Sequence, residues 1–361
     1  MLSLNPQWEL PMRIFTGLAL ALALVAGTSL AQAEEKPSFS IAWTIYAGSM
    51  PLGYAQESGI LAKWGDRYGI DLKAVQMNDY IEAQNQYTAG QFDGVIAITL
   101  DALTIPAAGG VDSSAALLLS ASNGSDALVM KGTGKTVADL KDTRVNLVEL
   151  SGSHYLLARA LAEHDMSERD LTVVNTSDAD IIAAFQSADS QAVVTWKPQL
   201  SEILAQNPDT TMLFDSSDIP NEITDILVVR TELLEQTPGL GKALAGAWYE
   251  VIAMLSPEHP EHEKAVSYMA EALATDAQGF AEQTATINFF TPSQAVALIE
   301  DPQFADTMGN ITEFAWDNGL LGEGASGPDY VGVQFGEELV MGNADNIKLR
   351  FPTTYSAELA Q

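Results

Sequence analysis

Hydrophobic and polar positions along the chain switch between two periods. From Ser38 onward, short β-rich apolar runs alternate with stretches patterned for helices. Residues 39–46, 72–76 and 94–99 predict strands. Residues 50–63 and 79–89 predict helices, with Pro51 suited to a first turn and Gly90 to a stop. A short helix over 102–108 closes at Gly109-Gly110, and 115–120 and 127–131 predict strands split by the polar segment Ser122-Asn123-Gly124-Ser125. The logic then repeats, with strands over 144–147, 171–175, 192–195 and 211–215 and helices over 152–164, 178–186 and 198–205. Residues 225–229 predict a strand returning to the first unit, and the chain after Arg230 reads as mostly helical, over 239–255, 260–274, 292–300 and 301–318.

Strands that alternate with helices predict an α/β protein of mostly parallel sheets flanked by helices. Two such units make two lobes. Residues 34–124 and 227–361 form the first, with the helical C-terminal tail, and residues 125–226 form the second. The crossings near Asn123 and Asp225 imply a hinge, and ligands of such sheets bind beyond the carboxyl ends of the strands.

Residues 1–33 read as an export leader. Arg13 supplies a positive start, 14–25 is almost wholly apolar, and Ala31-Gln32-Ala33 matches a small-x-small cleavage site. The run is shorter than the roughly 20 residues that a membrane span needs. Met12 is an alternative start, placing Arg13 just after the initiator. The sequence has no cysteine, so a lipid-anchored form is not expected, and the mature protein is expected in a bacterial periplasm.

Charge narrows the function classes. The chain has 17 Lys+Arg against 48 Asp+Glu, a formal net charge of −31 over 361 residues. Such acidity opposes binding to phosphate backbones, so nucleic acid is not an expected partner. The absence of cysteine removes thiol nucleophiles and Cys-ligated metal sites. Most of the acidic excess lies beyond what a ligand pocket could use, and with few lysines it suggests a saline habitat.

The whole mature stretch resembles the periplasmic solute-binding proteins of nitrate/taurine/sulfonate-type ABC importers. The runs carrying this are Trp43-Thr44-Ile45-Tyr46-Ala47-Gly48, Gln84-Asn85-Gln86-Tyr87-Thr88-Ala89-Gly90, and Asp101 through Gly110, with Ser122-Asn123-Gly124-Ser125-Asp126 and Val194-Thr195-Trp196-Lys197-Pro198. Within that family the same runs are most similar to the branch found beside urea-carboxylase and guanidine-degradation enzymes. The resemblance implies a type II-like two-lobed binding protein, monomeric and without a cofactor. It would deliver guanidinium or urea to an inner-membrane permease that has a separate ATPase subunit.

The ligand site is argued from residue chemistry. Residues expected at strand ends or crossings are Trp43, Tyr46, Thr99, Asp101, Asn123, Asp126, Glu149, Ser151, Ser153, His154, Trp196, Lys197, Glu222, Thr224 and Asp225. The list is rich in carboxylates and aromatics and holds one constitutive cation, Lys197. Anions prefer arginine, lysine or bare helix amides. A planar guanidinium pairs with carboxylates and stacks on rings. Asp101 reads equally as a helix cap or a ligand contact. Glu149 reads as a ligand carboxylate or a surface or hinge ion pair. Trp43, Tyr46 and Trp196 read as core rings or cleft walls. Asp225 is preferred over Asp126, either being able to tie the hinge instead. The expected set is therefore Trp43, Tyr46, Asp101, Asn123, Glu149, Trp196 and Asp225, with guanidinium first, urea second and a nitrate or sulfonate third.

An enzyme is the contrasting class. His259-Pro260-Glu261-His262 has a metal-like spacing but no evident third ligand. Leu150-Ser151-Gly152-Ser153-His154 is not a Gly-x-Ser-x-Gly nucleophile elbow. No phosphate-binding glycine motif occurs. A non-enzymatic binding role is expected.

Overall fold

The computed structural model describes residues 36–360; the expected leader lies outside them. Sheet A contains β1 (Ser38–Thr44), β2 (Asp71–Met77), β3 (Gly94–Ile98) and β4 (Ser113–Ser122) from the first part of the chain. Sheet B follows, with β5 (Asp126–Lys131), β6 (Arg144–Leu147), β7 (Thr172–Asn175), β8 (Ala192–Trp196) and β9 (Thr210–Asp215). The chain then returns to sheet A through β10 (Thr224–Arg230), β11 (Ile287–Phe289), β12 (Gly332–Phe335), β13 (Leu339–Met341) and β14 (Ile347–Phe351).

Sheet A has the order β13-β12-β14-β4-β10-β3-β1-β2 with β11 on β4, and sheet B has the order β7-β6-β8-β5-β9. Both sheets are mixed rather than simply parallel. β10 runs antiparallel to β3 and β4, and β5 runs antiparallel to β8 and β9. The reason is connectivity: each is the strand on which the chain enters a sheet from the other one, so it runs against the neighbours built by helical crossovers. Taken from one edge, β2-β1-β3-β10-β4 and β7-β6-β8-β5-β9 share one pattern. β4 is buried at all ten positions, as a strand covered on both faces must be.

The helices follow their signals with two differences. The stretch expected as one helix over 50–63 is two, Met50–Glu57 and Ile60–Arg67, because Gly59 takes φ +78° between them. The C-terminal stretch is not all helix. Beyond Pro238–Met254, His262–Ala272, Pro292–Glu300 and Pro302–Asp317, the chain adds β12, β13 and β14 to the sheet. These runs are short, and they join the sheet where β14 finds the open side of β4, pairing at Leu349–Ser113 and Arg350–Ser114. Among the described residues, no helix is long and apolar enough to cross a membrane.

Candidate functional site

Strand register brings the carboxylates together. Asp126 opens β5 and stands opposite Trp196, the last residue of β8. Asp225 lies near the start of β10, opposite Ile98 at the end of β3 and Ser120 on β4. The helix Thr99–Ala102 begins directly after β3 and carries Asp101. The two crossings and the end of β3 therefore meet at one cavity of about 60 Å³. Its lining includes Tyr46, Tyr80, Asp101, Asp126, Trp196 and Asp225, with Ser151, Gly152 and Ser153 at the start of the helix Gly152–Ala162.

All three aspartates are buried, with Asp101 wholly inaccessible. Asp101 Oδ2 accepts from the Tyr80 hydroxyl at 2.7 Å, and that hydroxyl accepts from the Ile98 N–H at 3.0 Å. Asp101 Oδ1 and Ser153 Oγ have no hydrogen-bond partner among the described residues. Asp225 Oδ2 accepts from Ser120 Oγ at 2.8 Å, and Asp126 Oδ2 accepts from Ser122 Oγ. Burial pushes Asp101 up to about 7, against the pull of the Tyr80 hydrogen bond. Burial pushes Asp225 up to about 7 and Asp126 up to about 6; the Asp126 charge adds to the rise at Asp225. The Tyr46 hydroxyl is raised by burial and by the charges of Asp225 and Asp126. Among the described residues no lysine or arginine lines the cavity, so ionising the cluster is electrostatically unfavourable.

The aromatic walls come from separate elements. Tyr80 and Trp196 lie 6.2 Å apart between ring centroids, tilted by 59°. Tyr80 opens the helix Tyr80–Thr88, whose N-cap is Asp79. Gly152 permits the close approach of the opposite wall, since a Cβ there would sit 2.7 Å from Ile98 Cδ1.

Tyr46, Asp101, Trp196 and Asp225 of the expected set line this cavity. Three others do not. Trp43 is buried in the core, its ring so close to Gly53 that a Cβ there would lie at 2.5 Å. Asn123 lies on the crossing outside the cavity lining, its backbone N–H donating to the Thr286 carbonyl at 2.9 Å. Glu149 is exposed beside Leu150, and its N–H donates to Asn175 Oδ1. Asp101 is not the helix cap, because Ile98 takes that position. Lys197 turns away from the cavity, donating to Thr286 Oγ1 at 3.0 Å and to the Glu282 carbonyl at 3.3 Å. His259 and His262 serve local turns, accepting from the Glu261 N–H and meeting the Met254 carbonyl. Among the described residues, no group of three His, Cys, Asp or Glu is placed to hold a metal ion.

Sequence reasoning passed over Tyr80 and set Asp126 behind Asp225. The strand-end rule reaches Tyr80 when it is applied to β2, whose loop carries the capping Asp79.

Comparison with known proteins now places the chain. A family model described as the NMT1-like family matches residues 32–271. The chain belongs to the NMT1-like family. A binding protein of Brucella abortus (strain 2308) is 26% identical over 290 residues, 79% of this chain and 87% of the relative. The taurine-binding periplasmic protein of Escherichia coli (strain K12) is 26% identical over 219 residues, 56% of this chain and 67% of its own length. The alkanesulfonate-binding protein SsuA from Xanthomonas axonopodis pv. citri, solved bound to MOPS, superposes with a TM-score of 0.65 at 17% identity, covering 80% of this chain and 96% of that one. This NMT1-like protein therefore has the periplasmic binding-protein fold.

Proposed function

We propose that this NMT1-like protein is the solute-capturing component of an ABC importer of the nitrate/taurine/sulfonate type, and that its solute is a small planar nitrogen cation, guanidinium first. The observation that carries the ligand reading is the cavity itself: three buried aspartates and three aromatic rings, with no lysine or arginine in the lining. A guanidinium presents N–H donors around its whole edge and flat faces to rings. Asp101 Oδ1, without another partner, is a ready acceptor for one of those donors. A cavity of about 60 Å³ holds roughly two waters' share of liquid volume, which suits a solute of a few heavy atoms. A desolvated cation–π contact with Trp196 or Tyr80 contributes ~2 kcal/mol more. Delivery would be to an inner-membrane permease driven by a separate ATPase subunit, from a periplasmic location.

A second reading has its own support. The relatives include a taurine-binding protein, and the start of the helix Gly152–Ala162 lines the same cavity, where backbone N–H groups favour anionic oxygens. Taurine would place its ammonium among the aspartates and its sulfonate at that helix. Urea shares the planar shape of guanidinium without its charge. Calorimetric titration of the protein at pH 8 with guanidinium, urea, taurine and nitrate decides among them. Saturable heat from guanidinium is expected. Heat from taurine or nitrate with none from guanidinium would overturn the cation reading in favour of the second one.

A further inference from the structure

Asp101, Asp126 and Asp225 line one cavity, and among the described residues no lysine or arginine lines it with them; Arg159 of the helix Gly152–Ala162 is paired with Glu222 at 2.8 Å, and Arg230 of β10 donates to the Tyr87 carbonyl at 2.7 Å. The helix Tyr80–Thr88 contributes the Tyr80 hydroxyl, β4 contributes the Ser120 and Ser122 hydroxyls, and the turn after β1 contributes Tyr46. At the end of β8, Lys197 is bound to Thr286 and Glu282 instead. In the helix Gly152–Ala162, His154 Nδ1 accepts from the Leu150 N–H and Nε2 faces Glu168. Pro302–Asp317 also touches the helix that bears Asp101, but its charged residues Asp306, Glu313 and Asp317 are exposed. The segment Leu103–Ala107 carries no charge. Asp101 Oδ1 and Ser153 Oγ, both of residues in the cavity lining, have no hydrogen-bond partner among the described residues.

We infer that capture at this site is an exchange, in which a guanidinium-type cation enters the aspartate cluster and about one proton leaves it for solvent. The inference rests on the cation reading above. Burial in a cavity whose described lining holds no lysine or arginine favours the neutral carboxyl, and the Asp126 charge adds to this at Asp225, so near neutrality the cluster retains protons. Burial accordingly pushes Asp101 and Asp225 up to about 7 and Asp126 up to about 6. An arriving unit charge supplies what a bound proton supplied, and the net charge of the cavity stays the same. Affinity then falls about tenfold for each pH unit by which acid holds that proton in place, making acidity a regulator of uptake.

The test is calorimetry of the protein with guanidinium chloride at pH 6.5, repeated in phosphate, which has a small ionisation enthalpy, and in bis-Tris, which has a large one and whose bulky, non-planar ammonium does not mimic the ligand. The dependence of heat on buffer enthalpy gives the proton count. About one proton released per guanidinium at pH 6.5, falling towards zero at pH 9, is expected. The same count in Glu149→Gln assigns the proton to the cavity rather than to an exposed carboxylate outside its lining. Tight binding at pH 6.5 with heats independent of buffer would overturn the exchange while leaving the cation reading intact. Loss of the release in Glu149→Gln would overturn its assignment to the cluster. Absence of guanidinium binding even at pH 8 would instead remove the cation reading, and the exchange with it.

Discussion

Replacing Asp101 by asparagine separates what the cavity costs the fold from what it contributes to binding. The amide keeps the shape and can still accept the Tyr80 hydroxyl, now at 2.7 Å from the carboxylate, but it carries no charge. In the folded protein Asp101 titrates at about 7, against 3.8 for a solvated aspartate. A folded pKa raised in this way means that the native state binds the proton more tightly than the unfolded chain does. The associated stability is complete below about pH 4 and is lost as pH rises through the folded value. Between pH 5 and pH 8 the wild-type protein should lose about 3 kcal/mol through this one group, and Asp101→Asn should not. At about 2 °C per kcal/mol for a chain of this size, the variant gains roughly 6 °C on wild type between the two pH values. The comparison is internal, because every surface carboxylate titrates alike in both proteins. Scanning calorimetry at pH 5 and pH 8 measures the midpoints, and titration at pH 8 should show guanidinium affinity reduced in the more stable variant. A midpoint difference that is the same at both pH values would refute the reasoning, since Asp101 would then ionise as easily as a solvated carboxylate and would have no deficit for a cation to fill.

Other consequences are open to direct measurement. Trp196→Ala should weaken guanidinium binding by ~2 kcal/mol, about 30-fold, with little change in melting. Trp43→Ala, in the core, should instead cost about 3–5 kcal/mol of stability in denaturant titration. Glu149→Gln should alter affinity by less than about 0.5 kcal/mol, because the carboxylate is exposed and away from the cavity; a large loss would return it to the site. Gly152→Ala puts a methyl group against Ile98 Cδ1, and a loss of about 1 kcal/mol in affinity is expected as that wall is pushed outward. With a net charge of −31, thermal stability should rise between 0.05 and 1 M NaCl as self-repulsion is screened, the Debye length shrinking to about 3 Å at the upper end; a flat or falling midpoint would contradict the saline-habitat reading.

Much of the architecture was legible along the chain because strands and helices here are bounded by local signals. Pro51, the Asp79 cap, Gly90 and the polar break at Ser122–Ser125 act within a few residues of where they stand, so they can be read without knowing the neighbours. The strand over 115–120 was legible for the same reason, its apolar run matching a position buried on both sides. The terminal strands were not, because β12 to β14 depend on a free edge at β4 that only the assembled sheet provides.

The site divides along the same line. Residue chemistry with strand-end and crossing positions was enough to select four residues that line the cavity, Tyr46, Asp101, Trp196 and Asp225; the first three lie at or just after strand ends, and Asp225 enters from the crossing at the start of antiparallel β10. The sequence could not separate Trp43 from Trp196, two rings of one type each beside a turn. Trp43 is directed into the core beneath Gly53, whereas the Asp126–Trp196 pairing turns Trp196 to the cavity. Glu149 and Asp126 were equally acidic, one in the loop after a predicted strand and the other on a crossing. One sits on a solvent-facing loop and the other on the first residue of a buried strand. The sequence by itself determined an acidic α/β protein with candidate carboxylates at its crossings. Which carboxylates are desolvated together was decided only by the tertiary structure, because burial is set by residues distant along the chain, and that burial raises Asp101, Asp126 and Asp225 above the ordinary carboxylate range.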